Sequence, residues 1–179
     1  LTVKSGTDIL VERFGLRVVT TGNGKVYLNG KETMLLGYCR HEAHPQFGPA
    51  LPESQMLQDI QLLKQTGCNF IRGSHYPQDQ RFLDLCDETG MLVWEEGIGW
   101  GQQVRHFENE TFCDKQEEQL HLMVNNSYNH PSVIMWGYLN EGESHKPEST
   151  PLYRRLTTAL KSEDSSRPVT YATNHPFDD

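Results

Sequence analysis

The sequence predicts an α/β protein whose strands alternate with helices and pair in parallel. Five short apolar segments alternate with four longer amphipathic segments, and the first two amphipathic segments end at Gly67 and Gly90. A glycine just past a helix end supplies the left-handed conformation that closes the last turn. Strand–helix alternation implies parallel strands, because each helix carries the chain back to the end of the sheet where the previous strand began.

The spacing of apolar residues gives the order of the elements. The predicted strands are residues 34–40, 69–72, 91–95, 133–139 and 168–173. The predicted helices are residues 53–65, 78–89, 112–128 and 151–163. In the first helix, Met56, Leu57, Ile60 and Leu63 share one side, as expected of a helix that packs on a sheet. Ahead of this region, residues 1–20 contain short apolar segments that suggest strands, and two Asn-Gly pairs then mark turns.

An open doubly wound sheet and a (β/α)8 barrel both have this alternation, and the positions of the polar residues favour the barrel. Polar residues follow four of the strands, at 40–42, 72–75, 95–96 and 140–141. Polar groups at the C-terminal ends of several parallel strands build the active site of a (β/α)8 barrel. The glycine fingerprint of a dinucleotide-binding sheet does not occur. A complete barrel has eight strands and about 250 residues, so we predict an incomplete barrel of about five βα units.

Composition argues against two classes of partner. The net charge is −8 at pH 7 and the 16 lysines and arginines are scattered, whereas nucleic acid requires a basic stripe. No apolar run approaches the roughly 20 residues that cross a bilayer, so no membrane partner is expected. The four cysteines lack C-x-x-C spacing and are expected to be free thiols. The compartment stays open, because the sequence does not begin with Met and shows no signal peptide.

The fourth predicted strand ends in a pair of residues suited to catalysis. Asn140 and Glu141 directly follow residues 133–139. If Trp136 and Tyr138 face inward, their rings would surround Glu141 with apolar surface, which favours the protonated form of a carboxylic acid. Such an acid can donate a proton to a leaving-group oxygen, and the Asn140 amide can hydrogen-bond a sugar hydroxyl. From the residues alone, a catalytic pair and an ordinary loop cap both remain open.

Four segments together resemble one enzyme family. Residues 129–141 read Asn-His-Pro-Ser-Val-Ile-Met-Trp-Gly-Tyr-Leu-Asn-Glu, which resembles the acid/base motif of the family 2 glycoside hydrolases, including β-galactosidases, β-glucuronidases and β-mannosidases. Residues 37–45, Gly-Tyr-Cys-Arg-His-Glu-Ala-His-Pro, and 69–77, Asn-Phe-Ile-Arg-Gly-Ser-His-Tyr-Pro, resemble its first-strand and second-strand motifs. Residues 82–96 resemble the helix and strand that follow. The similarity covers residues 14–175 and keeps the family's motif order.

The resemblance implies a retaining hydrolysis of β-glycosidic bonds, through a covalent glycosyl-enzyme intermediate. Glu141 matches the general acid/base, and the amide of Asn140 beside it is expected to bind a sugar hydroxyl. The family's nucleophile is a glutamate on the seventh strand, which lies beyond Asp179 and outside this chain. A carbohydrate substrate is therefore expected. The alternative is a non-catalytic sugar-binding or structural fragment, inactive by itself.

Three further residues match site positions of the family, and a fourth is a candidate by its residue type. Arg72 matches the arginine beside the nucleophile, where a guanidinium would keep that carboxylate ionised; the alternative is a structural ion pair. His41 and His75 match histidines that line the sugar site, although lone histidines are more often structural. Trp100 is either a stacking platform for a sugar ring or a loop anchor.

The resemblance also carries expectations about metal and domains. Some β-galactosidases of the family bind magnesium through a glutamate and a histidine just after the third strand, but residues 97–103 contain neither. We therefore expect no metal and no cofactor. Residues 1–20 are expected to be the tail of a preceding β-sandwich domain or a linker, and residues 21–179 the N-terminal part of the barrel domain. An incomplete barrel exposes unpaired strand edges, which self-association could cover, so a homo-oligomer is possible.

Overall fold

The computed structural model describes residues 1–175, in which strands and helices alternate from residue 37 onward. The elements are β1 (Thr2–Ser5), β2 (Asp8–Val11), β3 (Val19–Gly22), β4 (Lys25–Leu28), β5 (Lys31–Glu32), β6 (Gly37–Arg40), α1 (Glu53–Gln65), β7 (Phe70–Gly73), α2 (Gln80–Thr89), β8 (Leu92–Glu96), α3 (Val104–Phe107), α4 (Glu110–Ser127), β9 (Val133–Asn140), a 3₁₀ turn (Pro147–Ser149), α5 (Thr150–Glu163) and β10 (Val169–Ala172).

The central sheet has five strands in the order β10-β9-β8-β7-β6, and every neighbouring pair is parallel. This is the predicted sequence of strands and helices, with each bound within three residues of its predicted position. The prediction of an incomplete (β/α)8 barrel is confirmed. The short helix α3 was not predicted, because four residues are too few to show a helical period. Within residues 1–175, no helix is long and apolar enough to cross a membrane.

Two antiparallel units precede the barrel strands. β1 pairs with β2, and β3, β4 and β5 form a meander. The turns of the meander contain Asn23-Gly24 and Asn29-Gly30, all four with positive φ, which is the backbone that two-residue hairpins require and that Asn-Gly adopts at low cost. The β3 strand runs across the predicted domain boundary after residue 20. That boundary stays a prediction, and the last four residues of the predicted barrel domain, 176–179, lie outside the described residues.

The outer face of the sheet packs against the helices and forms the core. On β9, the Trp136 indole N–H donates to Asp164 at 2.9 Å, and the Tyr138 hydroxyl donates to the Tyr153 carbonyl at 3.1 Å. Both rings are buried and face α5. The condition under which they would surround Glu141, that both rings face inward, is therefore not met. An apolar residue in a fully buried strand gives no sequence signal for which face it occupies, since both faces are covered.

The neighbouring glutamates of β8 face opposite sides of the sheet, because successive strand residues alternate. Glu95 points outward, where its Oε1 accepts a hydrogen bond from the Ser127 hydroxyl of α4 at 3.0 Å. Its Oε2 has no hydrogen-bond partner within residues 1–175. Complete burial raises the pKa of Glu95 to about 8, because desolvation penalises the carboxylate. Glu96 points inward.

The β6 edge exposes apolar side chains. Tyr38 shares its strand face with Arg40, whose guanidinium contacts Asp59 of α1 and the Phe82 ring of α2. Tyr38 therefore lies on the helix-covered face, yet 63% of it is exposed, and Leu36 is exposed beside it. Exposed apolar residues on an unpaired edge are a surface for association. The possible homo-oligomer stays a prediction.

Replacing Glu95 should change how stability depends on pH. Between pH 4.5, the ordinary pKa of the side chain, and about 8, its pKa in the fold, the folded state keeps a proton that the unfolded chain has released. Stability therefore falls as pH rises through this window, by at most about 1.4 kcal/mol per pH unit from this group. Glu95→Gln should remove this fall, measured by urea unfolding from pH 5 to 8. The exposed Glu148→Gln is the control, and equal slopes in both variants would contradict the assignment.

Gly137→Ala should destabilise the inner face of the sheet. A Cβ on Gly137 would lie 1.8 Å from Nε1 of Trp94, so the indole must move. Overpacking of this kind costs about 1–3 kcal/mol. Thermal unfolding should show a lower Tm than for the wild-type protein. Gly22→Ala is the matched control, because an added Cβ there meets no atom within 4 Å; identical Tm values for the two variants would refute the packing.

Candidate active site

The C-terminal ends of β6 to β9 bring five of the six predicted site residues into one connected cluster. Arg72 donates from Nη2 to Asn140 Oδ1 at 2.8 Å. The His41 and His75 rings meet edge to face with centroids 5.3 Å apart, and His75 lies 6.4 Å from Trp100 by the same measure. These residues come from four separate loops or strand ends, and parallel pairing brings those ends to one edge of the sheet.

The centre of the cluster is an ion pair between Arg72 and a residue not singled out from the sequence, Glu96. Arg72 donates from Nε to Glu96 Oε2 at 2.8 Å and from Nη2 to Oε1 at 2.9 Å. The guanidinium lies over the Trp94 ring, 4.5 Å from its centroid. Glu96 has no solvent exposure. Strand alternation could have identified it, since Trp94 and Glu96 share a face of β8 and Arg72 lies on the adjacent strand.

His75 is held by the same carboxylate. Its Nδ1 lies 2.9 Å from Glu96 Oε1 and 3.2 Å from Arg72 Nη2. A carboxylate accepts and a guanidinium only donates, so the geometry fits a proton on Nδ1 that is given to Glu96. Nε2 is then free to interact with another group, and it has no hydrogen-bond partner among residues 1–175.

The loop that carries Trp100 is fastened to the end of β9 by backbone hydrogen bonds. The Asn140 N–H donates to the Gly99 carbonyl at 2.7 Å, and the Gly101 N–H donates to the Asn140 carbonyl at 2.8 Å. The Trp100 side chain takes no part in these bonds and is 58% exposed. The backbone anchors the loop, so the indole face beside His75 is available for contact with another ring.

The chain at Asn140-Glu141 adopts an uncommon backbone. Leu139 and Glu141 have φ values of 47° and 51°, in a region that non-glycine residues rarely occupy. The turn at Leu139 breaks the alternation of β9, so Asn140 points inward although Tyr138 points outward. The Glu141 N–H donates to the Ala172 carbonyl of β10 at 3.0 Å. Backbone strain of this kind costs about 1–3 kcal/mol and gathers at functional sites.

Glu141 follows Asn140 directly and therefore lies within one residue of the Arg72 cluster. Its side chain is exposed and makes no hydrogen bond to residues 1–175. Glu143, two residues on, is half-buried, and it accepts from the Val104 N–H at 2.8 Å and from Lys146 at 2.6 Å. The hydrogen bond from Lys146 lowers the pKa of Glu143. Glu143 thus fixes the loop after Glu141 against α3.

The residues after β8 do not fit a magnesium site. Residues 97–103 supply no carboxylate and no imidazole, the ligands used there by some β-galactosidases. Within the described chain, one group of three potential ligands lies close together, Asp84, Asp87 and His130. There Asp84 is already paired with Arg81 at 3.3 Å, and His130 with Asp87 at 2.6 Å. The expected absence of a metal stays a prediction.

Comparison with known proteins identifies the family. The model of "Glycosyl hydrolases family 2, TIM barrel domain" matches residues 19–179. A beta-galactosidase of Thermoanaerobacterium thermosulfurigenes is 33% identical over 180 residues, covering 98% of this chain and 24% of that protein. A putative beta-glucuronidase of Formosa agariphila is 41% identical over 125 residues, covering 66% of this chain and 14% of that protein.

Solved structures agree with the family assignment. A GH2 beta-galacturonidase from Eisenbergiella tayi bound to galacturonate superposes with a TM-score of 0.90 at 41% identity, over 94% of this chain and 30% of that one. A beta-glucuronidase from an uncultured Clostridium gives 0.93 at 29% identity, over 97% and 31%. The chain thus spans less than a third of the proteins it matches. It belongs to family 2 of the glycosyl hydrolases, within the TIM barrel domain of that family.

Proposed function

We propose that this barrel segment supplies the acid/base half of a retaining β-glycosidase active site. The observation that supports the proposal is the hydrogen bond from Arg72 to Asn140, the residue directly before Glu141 at the strand ends. Arg72 matches the arginine that lies next to the nucleophile in the family. The nucleophile itself is proposed to be a glutamate outside residues 1–179, on the seventh strand.

The proposed reaction has two displacements. The carboxylate nucleophile attacks the anomeric carbon while protonated Glu141 gives its proton to the departing glycosidic oxygen, so a glycosyl ester forms and the aglycone leaves as an alcohol. Ionised Glu141 then takes a proton from water, which attacks the anomeric carbon and releases the carboxylate. Two inversions give net retention, and the two carboxyl groups of such enzymes lie about 5–5.5 Å apart.

The remaining residues of the cluster are proposed to hold the sugar. Asn140 shares its side-chain oxygen with Arg72 and can offer its amide N–H groups to a hydroxyl. His75 presents Nε2, and His41 lies against it ring to ring. Trp100 can cover the apolar face of a pyranose ring. The substrate is thus a carbohydrate; relatives described as galactosidases, glucuronidases and a galacturonidase make galactosides and uronides the first substrates to test.

Residues 1–179 alone are expected to be inactive, and a full-length protein containing them active. Acid/base catalysis contributes only about 10²–10⁴-fold and cannot replace a missing nucleophile. The rate of hydrolysis by both proteins is measured on a panel of nitrophenyl galactosides, glucuronides and mannosides. Hydrolysis by residues 1–179 at the rate of the full-length enzyme would refute the division of the site. A full-length protein that hydrolyses no glycoside would favour the alternative, a sugar-binding or structural role.

Glu141→Gln in the full-length enzyme should impair the two steps unequally. Glutamine keeps the shape of the side chain but cannot donate a proton, so the first step should slow by about 10²–10⁴-fold for poor leaving groups. Dinitrophenolate needs no proton, so its release should change little and the glycosyl-enzyme should accumulate. Azide needs no general base and should restore turnover, giving a glycosyl azide of retained configuration.

The control for this experiment is Glu148→Gln, an exposed glutamate in the 3₁₀ turn after the same strand. It should behave as the wild-type enzyme on every substrate. An equal loss by Glu141→Gln on good and poor leaving groups, without azide rescue, would show that Glu141 is not the acid/base.

A further inference from the structure

Glu96 is a buried carboxylate that serves two side chains of the site at once. Both of its oxygens accept from Arg72, and Oε1 also lies 2.9 Å from His75 Nδ1. The side chain has no solvent exposure. Removing a carboxylate from water is costly unless hydrogen bonds and an opposite charge replace the lost hydration. Here three donors replace the lost hydration, namely Nε and Nη2 of Arg72 and Nδ1 of His75. All three lie on the face of the sheet that carries the site.

The hydrogen bonds of Arg72 leave one of its N–H groups without an acceptor among the described residues. A guanidinium has five N–H groups. Nε and one N–H of Nη2 go to Glu96, and the other N–H of Nη2 goes to Asn140. Nη1 has one long contact to the Cys39 sulfur at 3.7 Å. One N–H of Nη1 therefore has no acceptor among residues 1–175. Its direction is fixed, because Glu96 holds the planar guanidinium through Nε and Nη2.

Glu96 also selects the tautomer of His75. With Nδ1–H donated to Glu96, the neutral ring presents a lone pair at Nε2 and can accept from a sugar hydroxyl. Without the carboxylate, Nδ1 faces Arg72 Nη2 at 3.2 Å, which is a donor. Nδ1 would then serve as the acceptor, and the proton would move to Nε2. The ring would present a donor where it now presents an acceptor.

We propose that Glu96 is a positioning residue of the reaction, which aims Arg72, fixes the His75 tautomer and balances the arginine charge beside the nucleophile. The inference rests on the proposed function. The groups that face Glu96 within residues 1–175 are Arg72 from β7 and His75 from the loop after it, with His41 against the His75 ring. Glu95 points to α4 on the other face and does not take part.

The charge balance gives a signature that a purely structural role lacks. Removing the carboxylate leaves Arg72 unneutralised, and an unneutralised cation lowers the pKa of a neighbouring carboxyl nucleophile. The acidic limb of kcat/KM, which reports that nucleophile in the free enzyme, should then move to lower pH. A general loosening of the fold would reduce the rate without this shift.

The test uses two substitutions in the full-length enzyme. Glu96→Gln removes the charge at constant length; kcat/KM should fall by about 10²-fold or more, and the acidic limb should move down by about one pH unit. Glu96→Asp keeps the charge but is one methylene shorter, so it cannot hold Arg72 and His75 together. It should lose activity by about tenfold or more with the acidic limb in its wild-type position.

Glu95→Gln is the matched control, equally buried and one residue away on the opposite face of β8. Because burial keeps Glu95 protonated near neutral pH, glutamine resembles its native form and activity should stay within about threefold, a difference of under 1 kcal/mol. A Glu96→Gln enzyme that matches this control, or that loses activity with an unmoved limb, overturns the proposal.

If Glu96→Gln does not fold, the aspartate variant decides: a folded Glu96→Asp enzyme with wild-type kcat/KM and an unchanged Tm refutes positioning, and a tenfold loss at unchanged Tm supports it. These outcomes are separate from failure of the proposed function, in which the wild-type full-length protein itself hydrolyses no β-glycoside.

Discussion

The ion pair between Arg72 and Glu96 is the interaction on which the rest of the site depends. Two charges that are removed from water need close hydrogen bonds to be stable in the fold. Arg72 and Glu96 hydrogen-bond each other, Glu96 also interacts with His75, and Arg72 also donates to Asn140. The guanidinium of Arg72 packs on the ring of Trp94. The Trp94 indole in turn occupies space that a side chain at position 137 would fill, so that position is a glycine, Gly137. Removal of any one of these groups would leave a buried charge or ring without its neighbour.

Strand β8 shows how geometry decides the chemistry of two identical residues. Glu95 and Glu96 are adjacent and both fully buried. Glu95 faces a helix that offers one hydroxyl, and its pKa rises to about 8, whereas Glu96 faces a permanent cation. Burial alone therefore does not identify a functional carboxyl group. The opposing charge within hydrogen-bond distance is what distinguishes the surroundings of Glu96 from those of Glu95.

The proposed function divides the site between barrel units that are far apart in sequence. The proposed mechanism assigns the proton donor to Glu141 and the sugar contacts to His41 and His75, and it requires a second carboxylate opposite the first. Because strands close into a barrel, that carboxylate can come from a strand on the other side of the barrel mouth. The free N–H of Arg72 and the exposed side chain of Glu141 are both consistent with a site completed by such a strand.

The sequence alone determined the order of strands and helices, the strand ends at which polar residues gather, and the motif around Glu141. Apolar periodicity and turn residues are local signals, so they survive without a structure. The orientation of Trp136 and Tyr138, the inward turn of Asn140 and the part played by Glu96 were decided by tertiary structure. A buried strand is apolar on both faces, a positive φ at Leu139 reverses the alternation, and the partners of Glu96 lie 21 and 24 residues away. The first two features leave no local pattern in the chain, and strand alternation gives the face of Glu96 but not its partners.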